Sequence, residues 1–295
     1  MAQAIHGASG VEMGAVMGRR WAQVLVLGVV SSGWVGCAGL ENTLEKGHAI
    51  AANLMIPPAE EVKLGRRLSK ELEKSIKIHD NEELQTYIQE LGARIAANVE
   101  VYEPIEFTFK VVDDPGKINA SALPGGHIYV YTGLIMMVKT EAELAAVVSH
   151  EIAHVTERHI PQRLVALHGL EALQELIFEQ DTVPPLLTAL ASEVAGGGYL
   201  LHYSRETESE ADVVGIGYTI KAGFNPERFV DFFTLIKRLG AQTPEIFSTH
   251  PDPDRRIQDV RKAIGAFGEV PSDEGGEGFK RVHEILWGPA GRPDI

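Results

Sequence analysis

His150-Glu151-Ile152-Ala153-His154 decides how this chain is read. The five residues lie inside Glu141–Thr156, where Ala145, Val147, Val148, Ile152, Ala153 and Val155 are apolar and no Gly or Pro interrupts. That pattern predicts a helix. Positions four apart on an α-helix stack on one face. His150 and His154 can therefore present two imidazoles to one metal ion, with Glu151 one residue on and lining the same cleft. A carboxylate in that place handles the proton of an attacking water. Ser149 is uncharged and Ile152 and Ala153 are apolar, as a buried helix requires. The motif alone also fits a helix with two surface histidines and a solvated Glu.

The chain has 295 residues, enough for one large domain or two small ones with a substantial core. Its 44% hydrophobic and 23% charged content is that of an ordinary globular protein. A net charge of −14 argues against nucleic acid as a partner, because phosphate binding needs a basic face. The sole cysteine, Cys37, excludes disulfides within the chain and thiolate-rich zinc sites. Any zinc must be held by His, Asp or Glu.

The N-terminus predicts export. Arg19-Arg20 precedes the apolar run Trp21–Val30, and small residues follow up to Cys37. The run is too short for a comfortable membrane span. Val35-Gly36-Cys37-Ala38 resembles a bacterial lipobox, in which the Cys is lipidated and becomes the new N-terminus. Trp34 departs from that pattern, and simple signal cleavage is the alternative. The expected organisation is a signal over residues 1–37, a tether over 38–57, a folded domain over 58–265 and a C-terminal tail over 266–295.

Glu60–Ile78 and Asn81–Val99 read as amphipathic helices, the second with Asp80 or Asn81 as N-cap. Ile105–Val112 alternates as a strand. Asn119-Ala120-Ser121-Ala122-Leu123 predicts a strand, Pro124-Gly125-Gly126 a turn, and His127–Tyr131 a second strand. Asn119–Leu123 is the candidate edge strand that pairs with an extended substrate. His127 reads as a packing or surface residue. Arg158–Glu179 continues as helix after a break at Pro161, with His159 and His168 structural or solvated. Gly196-Gly197-Gly198 suggests a mobile segment over the site. Phe279–Trp287 suggests a short helix packed back on the domain.

A site built on two such histidines needs a third protein ligand, often a Glu from a separate helix. Glu208 and Asp212, four apart in Ser204–Lys221, share a helix face. Glu208 can bind the metal while Asp212 accepts a hydrogen bond from a ligand imidazole. Glu206 and Glu210 point elsewhere on that helix. Spacing alone leaves a solvated acidic helix equally open.

Four blocks resolve the choice. They are Asn119–Gly126, the HEIAH of 150–154, Ser204–Asp212 and Ser248-Thr249-His250-Pro251. In this order they resemble the zinc metalloendopeptidase family that includes HtpX, BepA-type proteases and the CAAX prenyl proteases. The resemblance covers most of residues 58–264. It implies Glu208 as third ligand, Asp212 as its support, and one zinc ion per chain. It also pairs His250 with Arg256, six apart, near the zinc. Either would stabilise the oxyanion of the tetrahedral intermediate, or His250 would fill the fourth zinc position and hold the enzyme latent. Arg255 is the weaker alternative to Arg256. No helical-repeat array follows these blocks, unlike BepA-type proteins, and no set of apolar spans accompanies them, unlike HtpX.

The expectation is an α+β gluzincin-type peptidase domain. It is mainly helical, with a small antiparallel or mixed sheet whose edge strand borders the zinc cleft. It would be lipid-anchored on the periplasmic side of a bacterial envelope, cleaving misfolded or misassembled envelope proteins bound as an extended strand. Glu151, His250 and Arg256 are the candidate catalytic residues. A non-catalytic chaperone with a retained zinc site is the rival from another class, and a non-peptide amidase the rival enzyme.

Overall fold

The computed structural model describes residues 47, 56–99, 101, 105–178, 183–197, 202–239, 250 and 252–288. Residues 47–295 form one compact unit. The expected signal and lipidated Cys37, most of the tether, and Gly198 lie outside the described residues. Ile56 and Pro57, at the end of the expected tether, do not: Ile56 is buried in the core and its carbonyl accepts from Arg158 Nη2 at 2.7 Å.

Two helices come first, α1 (Pro58–Leu72) and α2 (Glu82–Ala96). Asn81 caps α2, its Oδ1 accepting from the Leu84 N–H at 2.9 Å. β1 (Thr108–Val112), β2 (Ala120–Leu123) and β3 (His127–Tyr131) follow. The sheet is mixed, in the order β1-β3-β2, with β1 parallel and β2 antiparallel to β3. A 3-10 turn, Pro124–Gly126, joins β2 to β3, and Gly125 and Gly126 both take positive φ there (72° and 91°).

After the short α3 (Thr132–Met137) comes the central helix α4 (Glu141–Thr156). Thr140 caps it, accepting from the Glu143 N–H at 3.1 Å, while the Glu143 carboxylate reaches back to the Lys139 N–H at 2.6 Å. Every residue from Ala142 to Val155 is buried. A helix covered on all sides belongs at the centre of a domain. It packs against α2, β2, α5 (His159–Phe178), α7 (Arg205–Lys221) and α8 (Arg228–Leu239). α6 (Pro185–Ala195) lies against α1, and α9 (Pro253–Phe267) against α7 and α8. Residues 273–287, expected in the tail, are bound into the fold. α10 (Glu277–Trp287) buries Phe279 and Val282 against α2 and α3, and the Glu274 carbonyl accepts from the Ala142 N–H at 3.2 Å.

The expected break at Pro161 is corrected. Pro161 sits in the first turn of α5, where its missing N–H costs no helical bond. The helix instead kinks at Gly169 (φ 77°, ψ 165°).

One close approach fixes the site. A Cβ at Gly215 of α7 would stand 3.1 Å from His150 N and 3.2 Å from His150 Cα. Gly215→Ala should therefore push α7 from α4, costing about 1–3 kcal/mol. Urea unfolding should show it, and unchanged stability would mean that the contact has slack.

Candidate metal centre

Two helices and one further residue bring four side chains together. α4 supplies His150 and His154, α7 supplies Glu208, and His250 precedes α9. One donor atom from each lies within 4.8 Å of all the others. His150 Nε2 is 3.0 Å from His154 Nε2 and 3.3 Å from His250 Nδ1. Glu208 Oε1 is 2.9 Å from His250 Nδ1 and 3.4 Å from His154 Nε2. Tetrahedral bonds of the zinc length put neighbouring donor atoms about 3.3 Å apart. The set has that size.

Proton positions strengthen the fit. His150 Nδ1 is 3.0 Å from Asp212 Oδ1, so that nitrogen carries the proton and Nε2 keeps its lone pair. His154 Nδ1 faces His159 Nδ1 at 3.0 Å. With that nitrogen donating, two bare Nε2 lone pairs face each other at 3.0 Å. Neither can donate, so the pair repels unless a cation stands between them. Asp212 thus faces the His150 imidazole at the nitrogen turned away from the other donors.

Charge is arranged to suit a cation. Burial pushes the Glu208 carboxyl up, but Arg256, His250 and His150 outweigh it and hold Glu208 well below the usual carboxylate range. Asp212 is lowered too, with Arg256 and His150 overcoming its burial. Burial drives His154 well below the ordinary histidine value, leaving the neutral imidazole that a metal requires. Arg256 ties the carboxylates together. Its Nε and Nη2 donate to Asp212 at 2.8 and 2.6 Å, and Nη1 lies 2.6 Å from Glu208 Oε2. Its guanidinium stands 4.2 Å over the Phe233 ring. Arg255, the alternative, is exposed and faces Asp259 at 3.4 Å.

Glu151 is not one of the four converging donors. It is buried, 3.5 Å from His250 Nε2, and it accepts from the Ala122 backbone N–H. Burial raises its pKa against the pull of His250 and His150, moving it toward the range of a general base. The contact with β2 follows from register. The Tyr131 N–H donates to Asn119 O at 3.1 Å, so Asn119 points inward. In an antiparallel ladder the alternate residues, Ala120 and Ala122, then turn their N–H and C=O to the free edge. That edge borders the site, and Asn119–Leu123 are all buried in this state. Beside it lies a small cleft walled by Val147, Phe229, Phe232 and Ile236, with His150, Glu151 and His250 also lining it.

Two residues of the site escaped the sequence reading. His159, read as structural or solvated, is buried against His154, and Glu210, read as pointing elsewhere, lies 3.3 Å from His159 Nε2. His127 stands apart, its Nδ1 2.8 Å from Thr108 Oγ1.

The family model for peptidase family M48 matches residues 82–264. The chain is 30% identical over 228 residues to the beta-barrel assembly-enhancing protease of Escherichia coli K12, covering 74% of this chain and 46% of that protein. The protein of the same name from Yersinia pestis is 33% identical over 189 residues, 60% of this chain and 38% of its own length. The mitochondrial metalloendopeptidase OMA1 of Arabidopsis thaliana is 31% identical over 162 residues, 55% of this chain and 32% of its own. The chain spans less than half the length of each of these relatives. The match spans the central helix α4, the acidic helix α7 and most of α9, and by it this chain belongs to peptidase family M48.

Proposed function

We propose that this protein is a zinc metalloendopeptidase acting on envelope proteins, held in a latched state by His250. The convergence of His150, His154, Glu208 and His250 carries the reading. His150, His154 and Glu208 hold the ion, and Asp212 and Arg256 hold His150 and Glu208. When bound, zinc supplies Lewis acidity, bringing the pKa of an attacking water toward neutrality and polarising the scissile carbonyl. Glu151 takes the proton of that water and passes it to the leaving amine. The substrate lies extended along β2, pairing with the outward backbone groups of Ala120 and the Ala122 carbonyl. An apolar side chain beside the scissile bond enters the cleft of Val147 and Phe232.

His250 has two places in this scheme. As a fourth ligand it excludes water and substrate. Displaced from the other donors, its imidazole would be free to stabilise the oxyanion. The ligand-like position of His250 and the buried edge of β2 favour the latched state.

The names of the bacterial relatives suggest substrates among envelope proteins that assemble as β-barrels. Lipidation at Cys37 would place the domain on the periplasmic side of a membrane. Among the described residues no helix is long and apolar enough to cross one.

Casein cleavage by the purified protein tests the reading. Wild type should cleave slowly, and His250→Ala should cleave at least as fast with zinc retained. Chelation should stop both and zinc should restore them. One equivalent of zinc with no cleavage by either form would favour the chaperone reading. Cleavage that survives full zinc removal would refute the metal mechanism.

A further inference from the structure

His154 is held by a device that HExxH does not encode. Its Nε2 faces the other three donors, so its proton sits on Nδ1. That nitrogen is 3.0 Å from His159 Nδ1. His159 must accept there, which places its own proton on Nε2, 3.3 Å from Glu210 Oε2. This assignment makes each of the two His159 contacts a donor facing an acceptor. Tyr203 stacks on the His154 ring, with centroids 3.9 Å apart and planes 21° from parallel, and the His159 ring meets His154 edge-on at 5.0 Å. The imidazole is thus fixed by a ring on its face and a partner at its far nitrogen.

The backbone is bent to bring that partner in. In a continuous α-helix residue 159 would be rotated about 140° from residue 154 and could not meet its side chain. Arg158 breaks the helix in the left-handed region, with φ 57°, a conformation that side chains other than Gly rarely take. Its guanidinium is anchored on both sides. Nε donates to the buried Glu61 at 2.8 Å and Nη2 to the Ile56 carbonyl at 2.7 Å. The strained turn drops His159 beneath His154.

We propose that His159 and Glu210 are positioning residues for the metal, acting through His154 as Asp212 acts through His150. The His159 imidazole carries the influence of the Glu210 carboxylate to the far side of the ligand ring. Such outer partners fix the tautomer and raise ligand basicity, and their loss costs about 10–100-fold in metal affinity. The inference rests on the reading of His154 as a metal ligand.

The test compares full-length wild type with His159→Leu, His159→Asn and Glu210→Gln. The readouts are zinc affinity against a chromogenic chelator, the visible spectrum of the cobalt-substituted form, and the melting temperature of the metal-free protein. Asn places its Oδ1 near the position of His Nδ1 and keeps the acceptor. His159→Leu should weaken zinc binding about 10–100-fold and alter the cobalt bands. His159→Asn should recover most of that affinity, and Glu210→Gln should lose less than His159→Leu. A role in packing alone would lower the metal-free melting temperature with zinc affinity unmoved, and would overturn the proposal. Equal losses for Asn and Leu would also overturn it. If His159→Leu fails to fold, unchanged affinity and spectrum in Glu210→Gln together with weak binding by His159→Asn would do the same. Wild type that takes up no zinc would instead refute the metal reading beneath it.

Discussion

Glu151→Gln is expected to drop casein cleavage by on the order of 10²–10⁴-fold while one equivalent of zinc stays bound. Glu151 is absent from the four converging donors, so its loss leaves the ligand set intact. Gln keeps the side-chain oxygen that accepts from the Ala122 N–H but cannot take a proton from water. The comparison is best made in the His250→Ala background, where the latch does not mask activity. Retained cleavage there would remove Glu151 from the mechanism. Lost zinc would mean that it belongs to the ligand set after all.

Arg256→Met is expected to give the largest stability loss. Arg256 is the one guanidinium that bridges Glu208 and Asp212 among the described residues, and both carboxylates are 1% exposed. Removing one partner of a buried ion pair costs about 3–5 kcal/mol, because the remaining charge is left without compensation. For a domain of this size that lowers the melting temperature by on the order of 10 °C. The metal-free form should suffer more than the zinc form, since bound zinc compensates Glu208. Arg256→Lys should recover only part of the loss, because an ammonium cannot reproduce the fork that spans two carboxylates. Scanning calorimetry of both forms with and without zinc decides it. Equal melting of Arg256→Met and wild type without metal would show that the carboxylates do not depend on the guanidinium.

How legible the site was depended on periodicity. α4 and α7 carry their functional residues four apart, so helical geometry puts His150 beside His154 and Glu208 beside Asp212 without further knowledge. The strand of β2 followed from the Pro-Gly-Gly turn after it, whereas its edge position was expected from the way metallopeptidases pair with extended substrates. His159 stayed hidden because it is five residues after His154, off-face for any continuing helix. Arg158 gave no warning, since a left-handed residue is usually announced by Gly or Asn. Glu210 looked misdirected for the same reason. It serves α5, not the metal face of its own helix. Pro161 misled because a proline in the first turn starts a helix as readily as it stops one. The link between α4 and residues 273–276 left no local signal, for it is a backbone pairing across more than a hundred positions.

That last link ties the start of α4 to a distant segment of the chain. The opening turn of α4 leaves amide groups without partners inside the helix. The Glu274 carbonyl takes one of them, and the Gly276 N–H returns a bond to Glu141 Oε2 at 2.8 Å. The helix that carries both candidate metal histidines is therefore finished at its start by a segment more than a hundred positions further along the chain. Until that segment docks, His150 and His154 can lie close together on one helix but not in a closed frame, so capture of an ion is expected to follow the docking of residues 273–276.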